Sequence, residues 1–138
     1  MDLKTCIDKG YVKRTKANKE LAKSLLETSH AKTVALDSAN IDEITISAYV
    51  PMAYDALREI LEAICVLNGY KVLSHICTGE LVKTFIDDFD FSEFDRFRYA
   101  RNSINYYGEM IDLPQGLALI KKMLAMKSEL ERVVRKLI

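Results

Sequence analysis

Apolar positions recur along most of this chain every three or four residues, the spacing of amphipathic helices rather than of half-buried strands. Ala22, Leu25, Leu26, Ser29, Thr33 and Leu36 fall on one such stripe. Asn18 precedes it as an N-cap, and Glu20 lies in the first turn, where the helix dipole favours an acid. The pattern predicts a first long helix from Asn18 to Asp37, closed by the turn Asp37-Ser38-Ala39-Asn40. The next segment is the most apolar: Ile44, Ala48, Tyr49, Met52, Ala53, Ala56, Leu57, Ile60, Leu61, Ile64 and Leu67, with Gly69 as its stop. Pro51 lies inside it. Proline lacks an N–H and crowds the preceding turn, so the helix either kinks or starts there, and a kinked helix is the favoured reading.

Three further helices follow. Ser74 is placed to cap one carrying Leu81, Val82, Phe85, Ile86 and Phe89, closed by Asp87-Asp88-Phe89-Asp90. Ser92 is placed to cap the fourth, with Glu93 and Asp95 in its first turn, a stripe of Phe94, Phe97, Ala100, Ile104 and Tyr107, and Gly108 as its stop. Asp112 caps the fifth, Pro114 sits in its first turn, and Leu113, Leu117, Ile120, Leu124, Val134 and Leu137 form its stripe. Short connections between such helices imply an all-α, antiparallel (up-down) bundle of four main helices plus one shorter helix. Residues 1–17, with the basic run Tyr11 to Lys16, read as an N-terminal arm on a single domain of residues 18–138.

Composition supports this picture. At 138 residues the chain is one domain's worth, and five Gly with two Pro are too few for an all-β protein of this length. Twenty basic residues balance twenty acidic ones, so nucleic-acid contact must be local rather than spread over the surface. Cys6, Cys65 and Cys77 make no Cys-x-x-Cys pair, and with two His no standard zinc site can be drawn. No metal or cofactor is expected. Three free thiols suit a reducing cytoplasm. Asp2, Lys4, Asp8 and Lys9 exclude a signal-peptide core at the N-terminus, and no uncharged run reaches the roughly 18 residues of a membrane span. The expectation is a soluble, cytoplasmic protein without membrane contact.

The chemically informative stretch is the fourth helix, Arg96 to Gly108. At about 100° per residue, Phe97, Ile104 and Gly108 lie beside Arg101 on the core side, and Arg98, Asn102 and Asn105 on its other flank. Arg101 thus stands where an apolar stripe meets a polar strip, with a packed stem and a free fork suited to gripping a phosphate or carboxylate at two points. Asn102, Asn105 and the Tyr106 hydroxyl add neutral hydrogen-bonding partners. The structural alternative is a salt bridge from Arg101 to Glu59 or Glu62.

Arg101-Asn102-Ser103-Ile104-Asn105-Tyr106-Tyr107-Gly108 resembles the signature near the end of a late helix in HEPN domains. Ala48 to Glu59 is similar to the second helix of that family, and Asn68-Gly69-Tyr70-Lys71 followed by Ser74-His75 to its connection into the third. The resemblance covers most of the chain. It implies a helical bundle that commonly dimerises, and in active members a metal-independent ribonuclease site built from two facing signature helices. Many members are toxins paired with a small nucleotidyltransferase antitoxin, and others bind nucleotides or RNA without cutting. The family's catalytic His aligns with Tyr106. A His titrates near 6.5 and can move protons at neutral pH, whereas a Tyr near 10 is a poor base. The resemblance therefore implies a nucleotide- or RNA-binding protein with weak or lost ribonuclease activity. In it Arg101 grips phosphate, Tyr106 donates or stacks, and Arg98, Asn102 and Asn105 position the ligand. An active ribonuclease toxin and a non-catalytic dimeric interaction module are the alternatives.

The remaining candidates have plainer readings. His75 caps and packs at a helix start, and His30 lies exposed in mid-helix. Cys65 is a buried small hydrophobe, and Cys77 lies near a helix N-terminus, where a thiolate is favoured. Asp87, Asp88 and Asp90 form a solvated turn rather than a calcium loop. Lys13, Arg14, Lys16, Lys19 and Lys23 form a solvated charge run that could also meet phosphates, and Lys127 with Glu131 is a helix-supporting pair.

Overall fold

The computed structural model describes residues 1–138. Its elements run α1 (Leu3–Asp8), β1 (Val12–Arg14), α2 (Lys19–Asp37), α3 (Ile46–Leu67), β2 (Tyr70–Val72), α4 (His75–Phe85), α5 (Phe91–Tyr107) and α6 (Leu113–Leu137). The fold is all-α: α2, α3, α5 and α6 are the four main helices of a bundle, α4 is the shorter one expected, the six-residue α1 is a further helix in the stretch read as an arm, and the strands make only a small ribbon.

Local chemistry sets most helix ends. Asn18 accepts from the Leu21 amide at 3.0 Å and Asp112 from the Gln115 amide at 2.8 Å, satisfying first-turn donors that no helical carbonyl can reach. The fourth helix is capped by Asp90, not Ser92: the Asp90 carboxylate accepts from the Glu93 amide at 3.0 Å. Ser92 lies two residues too late, already inside the helix, and its hydroxyl donates to Asp90 Oδ1 at 3.3 Å. Ser74 precedes α4, but its side chain makes no cap hydrogen bond. Before α3, Asp42 accepts from the Thr45 and Ile44 amides, each at 2.9 Å, and those two bonds hold its carboxyl below the ordinary value. That turn leaves Ile44, expected in the apolar stripe, 82% exposed.

The helix α3 is the centre of the molecule. Twelve of its 22 residues are buried, on all sides rather than along a stripe, because α2, α4, α5 and α6 all pack against it. Each fully buried Leu or Ile there contributes roughly 1.5–3 kcal/mol. The helix begins upstream of Pro51 and runs through it, so the missing proline N–H falls at the carbonyl of Ser47. On α6 the buried face is Gly116, Ile120, Met123, Lys127, Leu130 and Val134. Leu117 and Leu137, expected in its stripe, are exposed, and the Lys127 stem is buried with its ammonium 2.9 Å from Glu131.

The stretch read as an arm is built into the body. Asp2 caps α1 through the Thr5 amide at 2.8 Å, and β1 pairs antiparallel with β2, Val12 opposite Val72 and Arg14 opposite Tyr70. Gly69 makes the reversal before β2. Its φ is +81°, and a Cβ there would lie 2.9 Å from the Thr15 carbonyl oxygen, so only glycine fits. Cys6 and Val12 belong to the core. Cys6 is joined to Cys77 by a disulfide with Cα atoms 5.8 Å apart, which corrects the expectation of three free thiols and leaves no thiolate at the start of α4. The pairing is possible because α1 packs on α4 and brings together residues 71 apart in sequence. Cys65 stays free and buried, its thiol pushed up to about 12 by burial.

Candidate functional site

Arg101 projects from α5 toward α3 and is held between two tyrosines. Its guanidinium carbon lies 5.6 Å from the ring centre of Tyr54 and 5.4 Å from that of Tyr106. Tyr54 is fully buried on α3 and stacks on Phe94 of α5, with ring centres 5.8 Å apart. Tyr106 is 67% exposed. One ring therefore fixes the guanidinium from below and the other closes over it from solvent. Arg101 Nη1 donates to Tyr106 Oη at 3.1 Å and to Asn102 Oδ1 at 3.3 Å.

No carboxylate pairs with Arg101. The two acids considered for it are engaged elsewhere: Glu59 accepts from Lys32 and Thr28 of α2, and Glu62 from Arg58 of α3 itself. Arg101 Nε is buried without any hydrogen-bond partner, and so is the Tyr54 hydroxyl. Burial drives the Tyr54 hydroxyl up to about 12, against the pull of Arg101, Arg58 and Arg98, so it stays protonated. The unpaired buried Nε costs free energy, and Nη1 is engaged by Tyr106 and Asn102, so Nη2, which has no protein partner, is the arm that a phosphate oxygen in the cleft can meet.

The guanidinium opens into a cleft of about 300 Å³ between the start of α4 and the second half of α5. From α5 come Arg98, Arg101, Asn102 and Tyr106; from the α4 start come Ser74, His75 and Ile76. No acid lines it. Arg98 carries its own counter-charge, binding Asp95 through Nε at 3.0 Å and Nη2 at 2.9 Å, and lies over the Tyr99 ring at 4.8 Å. Since Ser74 does not cap α4, the positive end of that helix faces the cleft unneutralised by a side chain.

Four of the five sequence-derived site residues, Arg98, Arg101, Asn102 and Tyr106, thus share one cleft, while Asn105 is exposed and outside its lining. Sequence reasoning missed His75 as a member. Its ring centre lies 6.2 Å from that of Tyr54, and burial together with Arg58, Arg101 and Arg98 holds its pKa below 6.5, with Asp55 opposing. A neutral imidazole therefore faces the cleft at neutral pH. The signal available for it was a polar pair, Ser74-His75, at a helix start, which packing alone also explains.

The other sequence candidates lie elsewhere. His30 is exposed on α2, and Lys13, Arg14, Lys16, Lys19 and Lys23 are all exposed, with Arg14 bonded to Tyr70 Oη at 3.4 Å. Asp87, Asp88 and Asp90 occupy the turn between α4 and α5. No helix is long and apolar enough to cross a membrane. Compared with protein-family models, with curated proteins and with solved structures, the chain matches none.

Proposed function

We propose that the protein is a HEPN-like nucleotide- or RNA-binding protein whose cleft between α4 and α5 grips a phosphate group. The observation that carries this reading is the state of Arg101: a guanidinium clamped between Tyr54 and Tyr106 that lines the cleft with no carboxylate partner. Such a group is preorganised for an anion. The uncapped start of α4 supplies a second source of positive potential, and Asn102 and Tyr106 supply neutral hydrogen-bonding groups beside it. Exposed Tyr106 offers a face on which a base can stack. With zero net charge, the chain owes its affinity to this one cleft rather than to a general basic surface. The reading calls for the cytoplasm, where RNA and nucleotides are found, and the Cys6–Cys77 disulfide argues the other way, because such bonds are rare in that reducing compartment.

The test is the binding of a fluorescent mixed-sequence RNA and of a nucleotide to the full chain, beside Arg101→Ala and Arg101→Lys. Arg101→Ala is expected to lose binding, by on the order of 2–3 kcal/mol for a charge-assisted pair. Arg101→Lys restores only part of it, because a lysine cannot reproduce the two-point fork. Unchanged binding in Arg101→Ala overturns the reading.

A second reading is favoured by Tyr99, Tyr107 and Met110, which are 62%, 76% and 73% exposed around the end of α5. In it the same helix end is an interaction surface. It would serve a homodimer or a small nucleotidyltransferase antitoxin, as in a toxin-antitoxin pair. Light scattering of the purified chain, and of Tyr107→Ser with Met110→Ser, tests the homodimer: a monomer in both rejects it.

A further inference from the structure

We infer that the ligand of this cleft is a single strand of RNA rather than a free nucleotide, and that the strand leaves the cleft over the outer face of the β1–β2 ribbon, where Lys13 and Lys71 hold its next phosphate. The inference rests on the phosphate-binding reading above and deepens it by naming the form of the ligand. Three observations carry it.

The first is the pairing of the two lysines. In the antiparallel ribbon Lys13 stands directly opposite Lys71. Partners in such a register put their side chains on one face, with Cβ atoms about 4.5–5.5 Å apart. Side chains alternate along a strand, and Val12, opposite Val72, is buried on the inner face. The lysines therefore take the outer face, and both are exposed. Like charges set opposite each other destabilise a strand pair, and no carboxylate answers these two. The lysines that form ion pairs are Lys23, Lys32, Lys83 and Lys127. A ribbon kept for stability alone would set an acid against one of them. Two uncompensated ammonium groups side by side suit a phosphate between them.

The second observation is position. Leu73 alone separates β2 from Ser74, which lines the cleft. Lys71 thus lies three residues from the cleft wall, at most about 10 Å of extended chain. The third is the surface between. The Leu73 amide donates to the Tyr11 carbonyl at 2.8 Å, so the ladder continues to the cleft end of the ribbon. By the same alternation Tyr11 and Leu73 share the outer face with the lysines, and Leu73 is 55% exposed. Outward from the cleft the order is Arg101 with Tyr106, Tyr11 with Leu73, then Lys13 with Lys71. Cations alternating with flat or apolar groups hold a single strand, phosphates on the charges and bases on the rings. A duplex keeps its bases stacked on one another and has none to give these rings. The cleft holds one phosphate, and the ribbon adds one local foothold on a chain without net charge.

The experiment measures binding of a labelled nucleoside monophosphate and of a labelled mixed-sequence RNA of about 10 nucleotides, across a salt series. The full chain is compared with Lys13→Gln plus Lys71→Gln, with Arg101→Ala, and with Lys121→Gln plus Lys122→Gln. The last pair is exposed on α6 and removes the same charge elsewhere. The ribbon variant is expected to bind RNA at least about fivefold more weakly, with a salt slope smaller by about 1. Its monophosphate binding stays at the wild-type value, since that ligand uses the cleft alone. Its thermal melt does not fall, because a like-charge pair has been removed. That result separates a lost phosphate contact from damage to the ribbon. Lys71→Gln alone serves if the double variant does not fold. Arg101→Ala loses both ligands, and the α6 variant keeps both. Unchanged RNA binding in the ribbon variant, with loss in Arg101→Ala, overturns the inference and leaves the cleft reading standing. Equal weakening by the α6 variant also overturns it, since the effect is then one of overall charge. RNA binding that survives Arg101→Ala overturns the cleft reading, and the route over the ribbon with it.

Discussion

At the scale of single residues, the cleft shows polar groups retained at a cost to stability. The Tyr54 hydroxyl is buried, un-ionised and without a hydrogen-bond partner, next to an equally unpartnered Arg101 Nε. A core optimised for stability alone would carry phenylalanine here. Tyr54→Phe is therefore expected to raise unfolding free energy by about 1 kcal/mol in a urea melt, since ring stacking on Phe94 survives and an unsatisfied hydroxyl is removed. A loss of stability would show that the hydroxyl has a partner in solution. Arg101 was legible from sequence as a residue on an apolar–polar border, because its neighbours at helical spacing are fixed by α5 alone. His75 was not. Its entry into the cleft depends on how α4 lies against α5 and α3, which no local pattern encodes.

At the scale of elements, capping residues and left-handed stops were readable because they act within one turn. Asn18, Asp112 and Gly108 stand where the sequence puts them, with Gly108 at φ +65°. Ser92 was misplaced because Asp90, two residues earlier, accepts from the Glu93 amide and starts the helix there. The α6 stripe was misread because Gly116 sets the approach of α6 to α3. A Cβ at Gly116 would lie 2.3 Å from Cγ1 and 2.7 Å from Cδ1 of Ile46, whose side chain is fully buried. Close packing at that glycine fixes the face of α6 that turns inward, and leaves Leu117 outside. Gly116→Ala is thus expected to destabilise by about 1–3 kcal/mol, although alanine is the better helix former. Ile46→Val in the same chain should return part of the loss. A Gly116→Ala protein as stable as wild type in a denaturant melt would contradict this contact.

At the scale of the whole molecule, the all-α bundle followed from periodicity and from the scarcity of glycine and proline. The long-range closures did not. The pairing of Val12 with Val72 and the Cys6–Cys77 bond join positions far apart in sequence, and residue spacing carries no trace of either. The strand pairing fastens the N-terminal residues to the α3–α4 connection and the disulfide fastens them to α4 itself, with Cys77 two residues beyond His75. The disulfide is expected to contribute on the order of 2–4 kcal/mol by constraining the unfolded chain. Titrating thiols in denaturant should find one, Cys65, before reduction and three after. Three before reduction would mean that the bond is absent in solution.

The central claim, that the cleft at Arg101 is a phosphate site, is tested most directly by NMR. The arginine Nε–H and histidine ring signals of the full chain are followed while a short RNA is added. The account predicts saturable shifts at Arg101 Nε–H and at the His75 ring, with exposed His30 unmoved. Shifts along the exposed lysines between residues 13 and 23, with Arg101 and His75 unchanged, would contradict it.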